Sequence, residues 1–581
     1  MPDERASAGP VRSFLKELTR RHVWRVAAVY VVVGLGVIAA ASDVFPRLLL
    51  PDWTVTLVVA LAILGLPLAL VLAWGYDLTR EGIVRTEDLP VPPSALVTAP
   101  RPSVVLPSKP PRLTLAVLPF QNMSPDPENE YFSDGITEEL LNTLAKVPGL
   151  HVAARTSSFA FKGKAVPVAE IAGALRVAHV VEGSVRKAGN RVRITVQLIS
   201  AEDGYHLWSE SYERDLGDIF ALQREIAGAV GGALEAGLTR GWDRALTAER
   251  SVVAEAYDHY LRGRFCFNRG TKEDLERALS HFMEALSIDP TLALAHSGIC
   301  KTYLMLADAY VSPLEAMPKA AAAAERALEL DPTLAEAYAG LGLLRGPYER
   351  RWAESEAALR RALELNPNLP DAYIFRAWNR FALADRGSAV PLFEQAFALD
   401  PLSAFASMML GWGYVFARRY DEAIREWTIL QELAPGMVYL DSTLGVALRE
   451  KGEYEAALRA FEEVEPALQR PSTGKAVTLA RMGRTEEAKR LAEVLEQAWE
   501  RGYFMPELLA EVFAALGEPD RAVFWLERGL DARSGGAHCL RVLPFEPLYG
   551  DPRYLDILKR AGLPPPPSVT APGSPSPRSA E

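Results

Sequence analysis

"AFASMMLGWGYVFARRYDEAIREWTILQELAP", Ala404 to Pro435, is the stretch whose reading decides the fold. Its apolar residues recur at helical spacing in two short runs separated by "ARR". Leu410, Gly411 and Tyr414 occupy the first run, Tyr420, Ala423 and Trp427 the second, and Pro435 ends the unit. Small residues stand where two antiparallel helices must touch, and large ones stand beside them to fill the gap. The same pattern flanks it, with Tyr373, Ala389, Phe393, Ala396 and Pro401 before, and Leu444, Gly445, Tyr454, Ala457 and Phe461 after. A lone helix pair of this kind cannot bury its apolar face, but a stack of them can.

The period identifies the stack. "SIDP", "ELDP", "ELNP", "ALDP" and "ELAP" place prolines at 290, 332, 367, 401 and 435, so the last three steps are 35, 34 and 34 residues. That is the period of tetratricopeptide repeats, and residues 254–562 are predicted to form an all-α superhelix of about seven or eight of them. The first copy ends at Pro290 with Ala278, Phe282 and Ala285 in place. The second carries an insertion of about eight residues around "ADAYVSPLEAMPKA", expected to bulge from one face. Beyond Gln469 the copies degrade but continue, and "PFEPLYGDPRYLDILKRAGLP" is similar to the closing cap of such arrays. Residues 563–581, rich in Pro and Ser, are expected to be a disordered tail.

Upstream, residues 113–240 alternate between strand and helix. Leu113 to Phe120 reads as a strand and Asp134 to Lys146 as a helix presenting Ile136, Leu140, Leu141 and Leu144. Ser133 or Asp134 is the expected N-cap, with Glu138 and Glu139 in the first turns where the helix dipole favours them. His151 to Ala154 follows as a strand and Val168 to Leu175 as a helix. A hairpin then turns at Gly189-Asn190, with Val192, Ile194, Val196 and Leu198 facing inward. "YHLWSESYERD" makes a further strand, and a helix from Asp218 gives the order β-α-β-α-β-β-β-α, a small mixed-sheet α/β domain. "AVLPFQNMSPDPENEYFSDGITEELLNTLAKVPGLHVAARTSSFAFKGK", "VEGSVRKAGNRVRITVQLI" and "GYHLWSESYERDLGDIF" resemble the TolB amino-terminal-like domain of bacterial membrane proteins that carry tetratricopeptide repeats. Some relatives fuse this module to a class III adenylate cyclase or a winged-helix regulator and are labelled cyclases for that reason. Here only a short basic segment, residues 1–22, precedes the first apolar run, so the cyclase label is not expected to carry over.

The first part of the chain reads as a membrane anchor. Val26 to Ala41 is apolar throughout and Thr54 to Tyr76 carries no charge, predicting a two-helix transmembrane hairpin over residues 23–77. Arg12, Lys16, Arg20, Arg21 and Arg25 precede the first span, and Arg80 and Arg85 follow the second. Positive charge stays inside, so the protein is expected in a bacterial inner membrane with its large C-terminal part cytoplasmic; the alternative, a surface-lying first segment, would make it periplasmic. Residues 78–112 hold prolines at 90, 92, 93, 100, 102, 107, 110 and 111 and read as an extended linker.

Chemistry is scarce. The net charge of -11 and the lack of a basic stripe argue against nucleic acid as a partner. Cys266 and Cys300 fall at small-residue positions of successive repeats and read as packing residues, while His538 with Cys539 is too isolated for zinc. His179 and His206 lie on predicted strands and read as structural. No catalytic, cofactor or metal site is expected, and no nucleotide or hydrolase motif is present. Binding is the better prospect. In tetratricopeptide arrays the first helix of each repeat lines a groove, and by register Asp371, Ile374, Trp378, Phe381, Phe405, Met408, Trp412, Val415 and Tyr439 would line it here. The expectation is a non-enzymatic scaffold held in the lipid bilayer, recruiting a protein or peptide partner in signalling or envelope-associated assembly, with a homo-oligomer also open. Replacing Trp378 and Trp412 by Ala should then remove partner binding without unfolding the array. The rival is a small-ligand sensor or regulatory subunit that holds an anion at the Ser124 to Gly135 loop.

Overall fold

The computed structural model describes residues 54, 76–79, 82–85, 113–234, 253–307, 310–433, 438–468, 470–501, 504–541 and 545–566. The predicted basic segment, both membrane spans apart from their Thr54 and Tyr76 limits, most of the linker and most of the tail lie outside these residues. Among the described residues no helix is long and apolar enough to cross a membrane. The N-terminal unit contributes a two-stranded antiparallel hairpin, β1 (Tyr76–Thr79) and β2 (Gly82–Arg85), with Tyr76 opposite Arg85. Tyr76 and Asp77 are therefore strand rather than span, and residues 78–79 and 82–85 are paired strands rather than extended linker. Backbone pairing satisfies groups that a free linker would leave to water.

In the second unit the mixed sheet comprises β3 (Thr114–Val117), β4 (Gln121–Asn122), β5 (His151–Val152), β6 (His179–Ala188), β7 (Arg191–Ser200) and β8 (His206–Asp215). Its order is β5-β3-β6-β7-β8, with β4 continuing alongside β6. β3 runs parallel to β5 and β6, whereas β6, β7 and β8 form an antiparallel meander. Side chains alternate across the pleat. Leu115 and Val117 face one core with Val192, Ile194, Val196 and Leu198, and Ala116 faces a second, smaller one. Helices α1 (Glu130–Ala145) and α4 (Ile219–Ala233) cover the first face. The short α2 (Arg155–Phe159) precedes α3 (Val168–Leu175), which covers the second.

α1 starts four residues before the predicted Asp134. Ser133 and Asp134 are buried inside it, so neither is its N-cap, and Glu138 and Glu139 sit mid-helix, away from the positive end of the dipole. Tyr131 and Phe132 join the core, and their burial extends the helix past the sequence's polar signal. Asp126 caps the 3-10 turn Pro127–Asn129 instead, its Oδ1 accepting from Glu128 N at 2.9 Å. β4 and α2 have no counterpart in the sequence reading, since two and five residues are too short to show a period.

Eight helix pairs follow. They are α5/α6 (Ala254–Phe267, Lys272–Ile288), α7/α8 (Ala293–Leu306, Pro313–Leu330), α9/α10 (Ala335–Leu343, Trp352–Leu365) and α11/α12 (Pro370–Ala382, Arg386–Leu399). Then come α13/α14 (Ala404–Phe416, Tyr420–Leu433), α15/α16 (Val438–Lys451, Tyr454–Leu468), α17/α18 (Thr473–Arg481, Thr485–Arg501) and α19/α20 (Pro506–Ala515, Pro519–Asp531), with α21 (Pro552–Arg560) closing the array. This is a tetratricopeptide-like solenoid. The second repeat's extra residues lengthen α8 to 18 residues, against 14 in α14, rather than simply bulging. Close approach explains the small positions: a Cβ on Gly411 would lie 2.0 Å from Trp427 Nε1, and one on Gly413 2.6 Å from Phe393.

One hydrophobic core runs without a break from the sheet through Tyr257, Tyr260 and Phe282 to Leu341, Leu344 and Tyr348 of the third repeat. The α/β domain and the start of the solenoid are thus one folded body. The array also closes on itself: Trp352 Nε1 donates to Ala561 O at 2.8 Å, and Arg350 Nη2 to Leu530 O at 2.6 Å.

Candidate functional site

The predicted groove residues fall on the first helices α11, α13 and α15 of three successive repeats, but they do not share one fate. Phe405 is 43% exposed, and Asp371, Trp378, Met408 and Trp412 are half-buried. Ile374, Phe381 and Val415 are buried in the core and cannot line an open groove. Their register positions face the neighbouring helices, where Phe381 stacks on Phe393 with centroids 6.0 Å apart. Of Tyr439, the described structure gives the helix only.

The two tryptophans belong partly to that core. Trp378 meets Phe393 edge-on at 5.6 Å and Phe416 at 5.5 Å. Trp412 stacks on Phe416 at 5.2 Å and meets Trp427 edge-on at 6.0 Å. Truncating them removes packing as well as surface, so the expectation that the array would be spared is corrected. Met408 packs partly against the same core as the tryptophans, so Phe405 is the apolar residue of this set that reports on binding alone.

A second surface joins the α/β domain to the solenoid, and sequence reasoning missed it. At one end Asp258 of α5 accepts from Tyr131 of α1 and from Lys187 of β6, each at 2.5 Å, and pairs with Arg262 at 2.9 Å. Beside it Arg264 pairs with Glu138 and, at 3.3 Å, with Glu139, while Arg155 reaches Glu138 at 3.1 Å. Burial pushes the Glu138 carboxyl up, but Arg264, Arg155 and Lys301 outweigh it and hold it below the usual range. Burial wins at Glu139, whose carboxyl is raised.

At the other end the contacts come from the turns between repeats. Asn368 Nδ2 donates to Ala145 O and Leu150 O, both at 2.8 Å, and its Oδ1 accepts from Val152 N at 3.3 Å. Asp400 Oδ1 accepts from Ser157 Oγ at 2.6 Å and Ser157 N at 2.9 Å, and Ala154 N donates to Leu399 O. In the equivalent turns of earlier repeats, Asp289 and Asp331 hold their own Thr291 and Thr333. Asp400 is diverted to the other domain. The signal was present as the "ELNPN" and "ALDP" turns, which sequence alone reads only as period markers.

Between α1 and the first three repeats lies a cleft of about 60 Å³ whose lining includes Glu138, Glu139, Lys146, Arg264, Lys301 and Glu336. An apolar cavity of about 150 Å³ accepts a benzene, so this one has room for waters but not for a nucleotide. The loop considered for an anion fares no better. Asp134 within it is held by Lys162 at 2.6 Å, and a Cβ on Gly135 would strike Leu261 at 2.6 Å. Cys266 and Cys300 are free and buried, and burial pushes the Cys300 thiol up to about 12, far from a nucleophile. His179 is half-buried on β6 and His206 exposed on β8.

Comparison with known proteins adds a match on one domain. Residues 111–228 match the family described as "HilA/YgeH-like transcriptional regulator, second domain". That span is the α/β domain. The chain is 45% identical over 204 residues to a Rhizobium meliloti (strain 1021) protein named "Putative adenylate cyclase 3", covering 35% of this chain and 34% of that one. It is 23% identical over 357 residues to the transcriptional regulator HilA of Salmonella typhimurium, covering 60% of this chain and 62% of the regulator. The chain therefore spans about a third of the first relative's length and less than two thirds of the second's. Among solved structures, YrrB, described as a TPR protein with an unusual peptide-binding site, is 21% identical with a TM-score of 0.24, covering 32% of this chain and 91% of that one.

Proposed function

We propose that this protein is a membrane-anchored, non-enzymatic scaffold whose solenoid captures an apolar segment of a protein partner, with a TolB-like α/β domain built into the same body. The observation that carries the reading is the face of α13, where Phe405 is exposed and Met408 and Trp412 are half-exposed on a rigid aromatic base. An exposed apolar side chain alone is ordinary, but Phe405, Met408 and Trp412 recur at helical spacing along α13, and a contiguous apolar strip is what an anchor residue of a partner packs on. The apolar runs at 26–41 and 54–76 support the anchor, and the flanking arginines support a cytoplasmic body. The closed docking of the α/β domain favours a structural over a catalytic role for it: its buried Glu138 and Glu139 are ion-paired to Arg264 of the solenoid. A place in signalling or envelope-associated assembly is consistent with such an architecture.

The test is selection of displayed peptides against the detergent-solubilised full chain. Peptides with aromatic or aliphatic anchors should bind in the micromolar range. Phe405→Ala combined with Met408→Ala should weaken them roughly tenfold or more, and Phe405→Ala alone should weaken them with the melting temperature nearly unchanged. Selected peptides indifferent to both changes would place the binding face elsewhere.

A further inference from the structure

The first repeat carries a cluster that the scaffold reading leaves without a role. His259 projects from α5, and His281 and Glu284 project one turn apart from α6, the facing helix of the same pair. Their ligand-type atoms all lie within 4.8 Å of one another. Glu284 Oε2 is 2.8 Å from His259 Nδ1 and 3.2 Å from His281 Nδ1. We propose that His259, His281 and Glu284 form a binding site for a divalent transition metal of the zinc class, clipping together the two helices of the first repeat.

The geometry suits such an ion. Tetrahedral zinc with bonds of about 2.0–2.1 Å keeps its ligand atoms roughly 3.4 Å apart. Opening the Glu284–His259 contact by about 0.6 Å and the Glu284–His281 contact by about 0.2 Å would admit it. The helices are already fixed, since Tyr257 and Tyr260 of α5 and Ala278, Phe282 and Ala285 of α6 are fully buried, so the ligands are preorganised by the core beneath them. The other oxygen of Glu284 accepts from Ser280 Oγ at 3.3 Å, which orients the carboxylate. Both imidazoles are 29% exposed, leaving an open side where water completes the coordination. Two imidazoles and one carboxylate select zinc, cobalt, nickel or copper over calcium and magnesium, which prefer all-oxygen shells. His259 also follows Asp258, the residue that anchors the α/β domain, so a bound ion would stiffen the helix on which that docking depends.

The measurement is titration of the chelator-stripped full chain with Zn²⁺ by calorimetry, together with the visible absorption of added Co²⁺. One ion per chain should bind, with cobalt bands marking nitrogen and oxygen ligation. His259→Ala, His281→Ala and Glu284→Gln should each lower affinity tenfold or more and abolish the bands, while the exposed His206→Ala leaves both intact. Circular dichroism checks that each variant is folded. Absence of stoichiometric binding, or binding unchanged in a folded His259→Ala/His281→Ala variant, overturns the site and shows instead two imidazoles sharing one carboxylate by charge alone.

Discussion

At the scale of the residue, Asp400 shows how a local signal acquires a distant task. Burial pushes its carboxyl up to about 6, against the hydrogen bonds from Ser157 that pull it down. In an unfolded chain the same group titrates near 3.9. The folded state therefore holds the proton more tightly, and the stability Asp400 contributes is full below about pH 4 and lost as the pH rises through 6. Asp400→Asn removes the buried charge but keeps an oxygen for Ser157. Denaturant unfolding should show this variant about 1–3 kcal/mol more stable than the parent at pH 7.5, with the two converging at pH 4. A difference independent of pH would mean that folding does not raise the Asp400 carboxyl above its value in the unfolded chain. The sequence marked Asp400 as the residue before a repeat-ending proline, but its partner lies 243 positions away and no local pattern could name it.

At the scale of the element, the first helix of most repeats ends the same way. The left-handed residue after it is Arg350, Ala384, Arg418 and Gly452 in four consecutive repeats, each 34 positions from the last. The following N–H reaches back five residues in three of these: Asp385 to Arg380, Arg419 to Tyr414 and Glu453 to Leu448. This is the Schellman closure, for which glycine is the unstrained choice. Ala384 is exposed with φ 65°, so Ala384→Gly should relieve strain and raise stability by roughly 0.5–1 kcal/mol, read as a higher denaturant midpoint at unchanged slope. A lower midpoint would show that the entropy of the added glycine outweighs the strain. Helices of this regularity are legible because their period is repeated. The start of α1 was not, because Tyr131 and Phe132 are drawn into the core by partners on other elements. The His259, His281 and Glu284 cluster has half a signal, the one-turn spacing of its last two members, and becomes visible only when α5 is folded against α6.

At the scale of the whole molecule, the α/β domain is clasped between Asp258 of the first repeat and the turns holding Asn368 and Asp400. Asn368→Ala would leave Ala145 O, Leu150 O and Val152 N without their partner, at a cost of about 2–4 kcal/mol. Limited proteolysis should then cut the Ala145 to Val152 segment much faster than in the parent, and an unchanged rate would show the clasp to be held elsewhere. The sequence by itself determined the repeat period, the helix pairs and most of the order of strands and helices along the α/β domain. These depend on spacing within some 40 residues, and local periodicity records that. Only the tertiary structure decided which groove residues remain on the surface, that the two domains share one core, and where the inter-repeat turns send their polar groups. The first depends on how neighbouring repeats pack, and the other two on contacts such as Tyr131–Asp258 and Ser157–Asp400, 127 and 243 positions apart; burial, rather than local propensity, chooses among them.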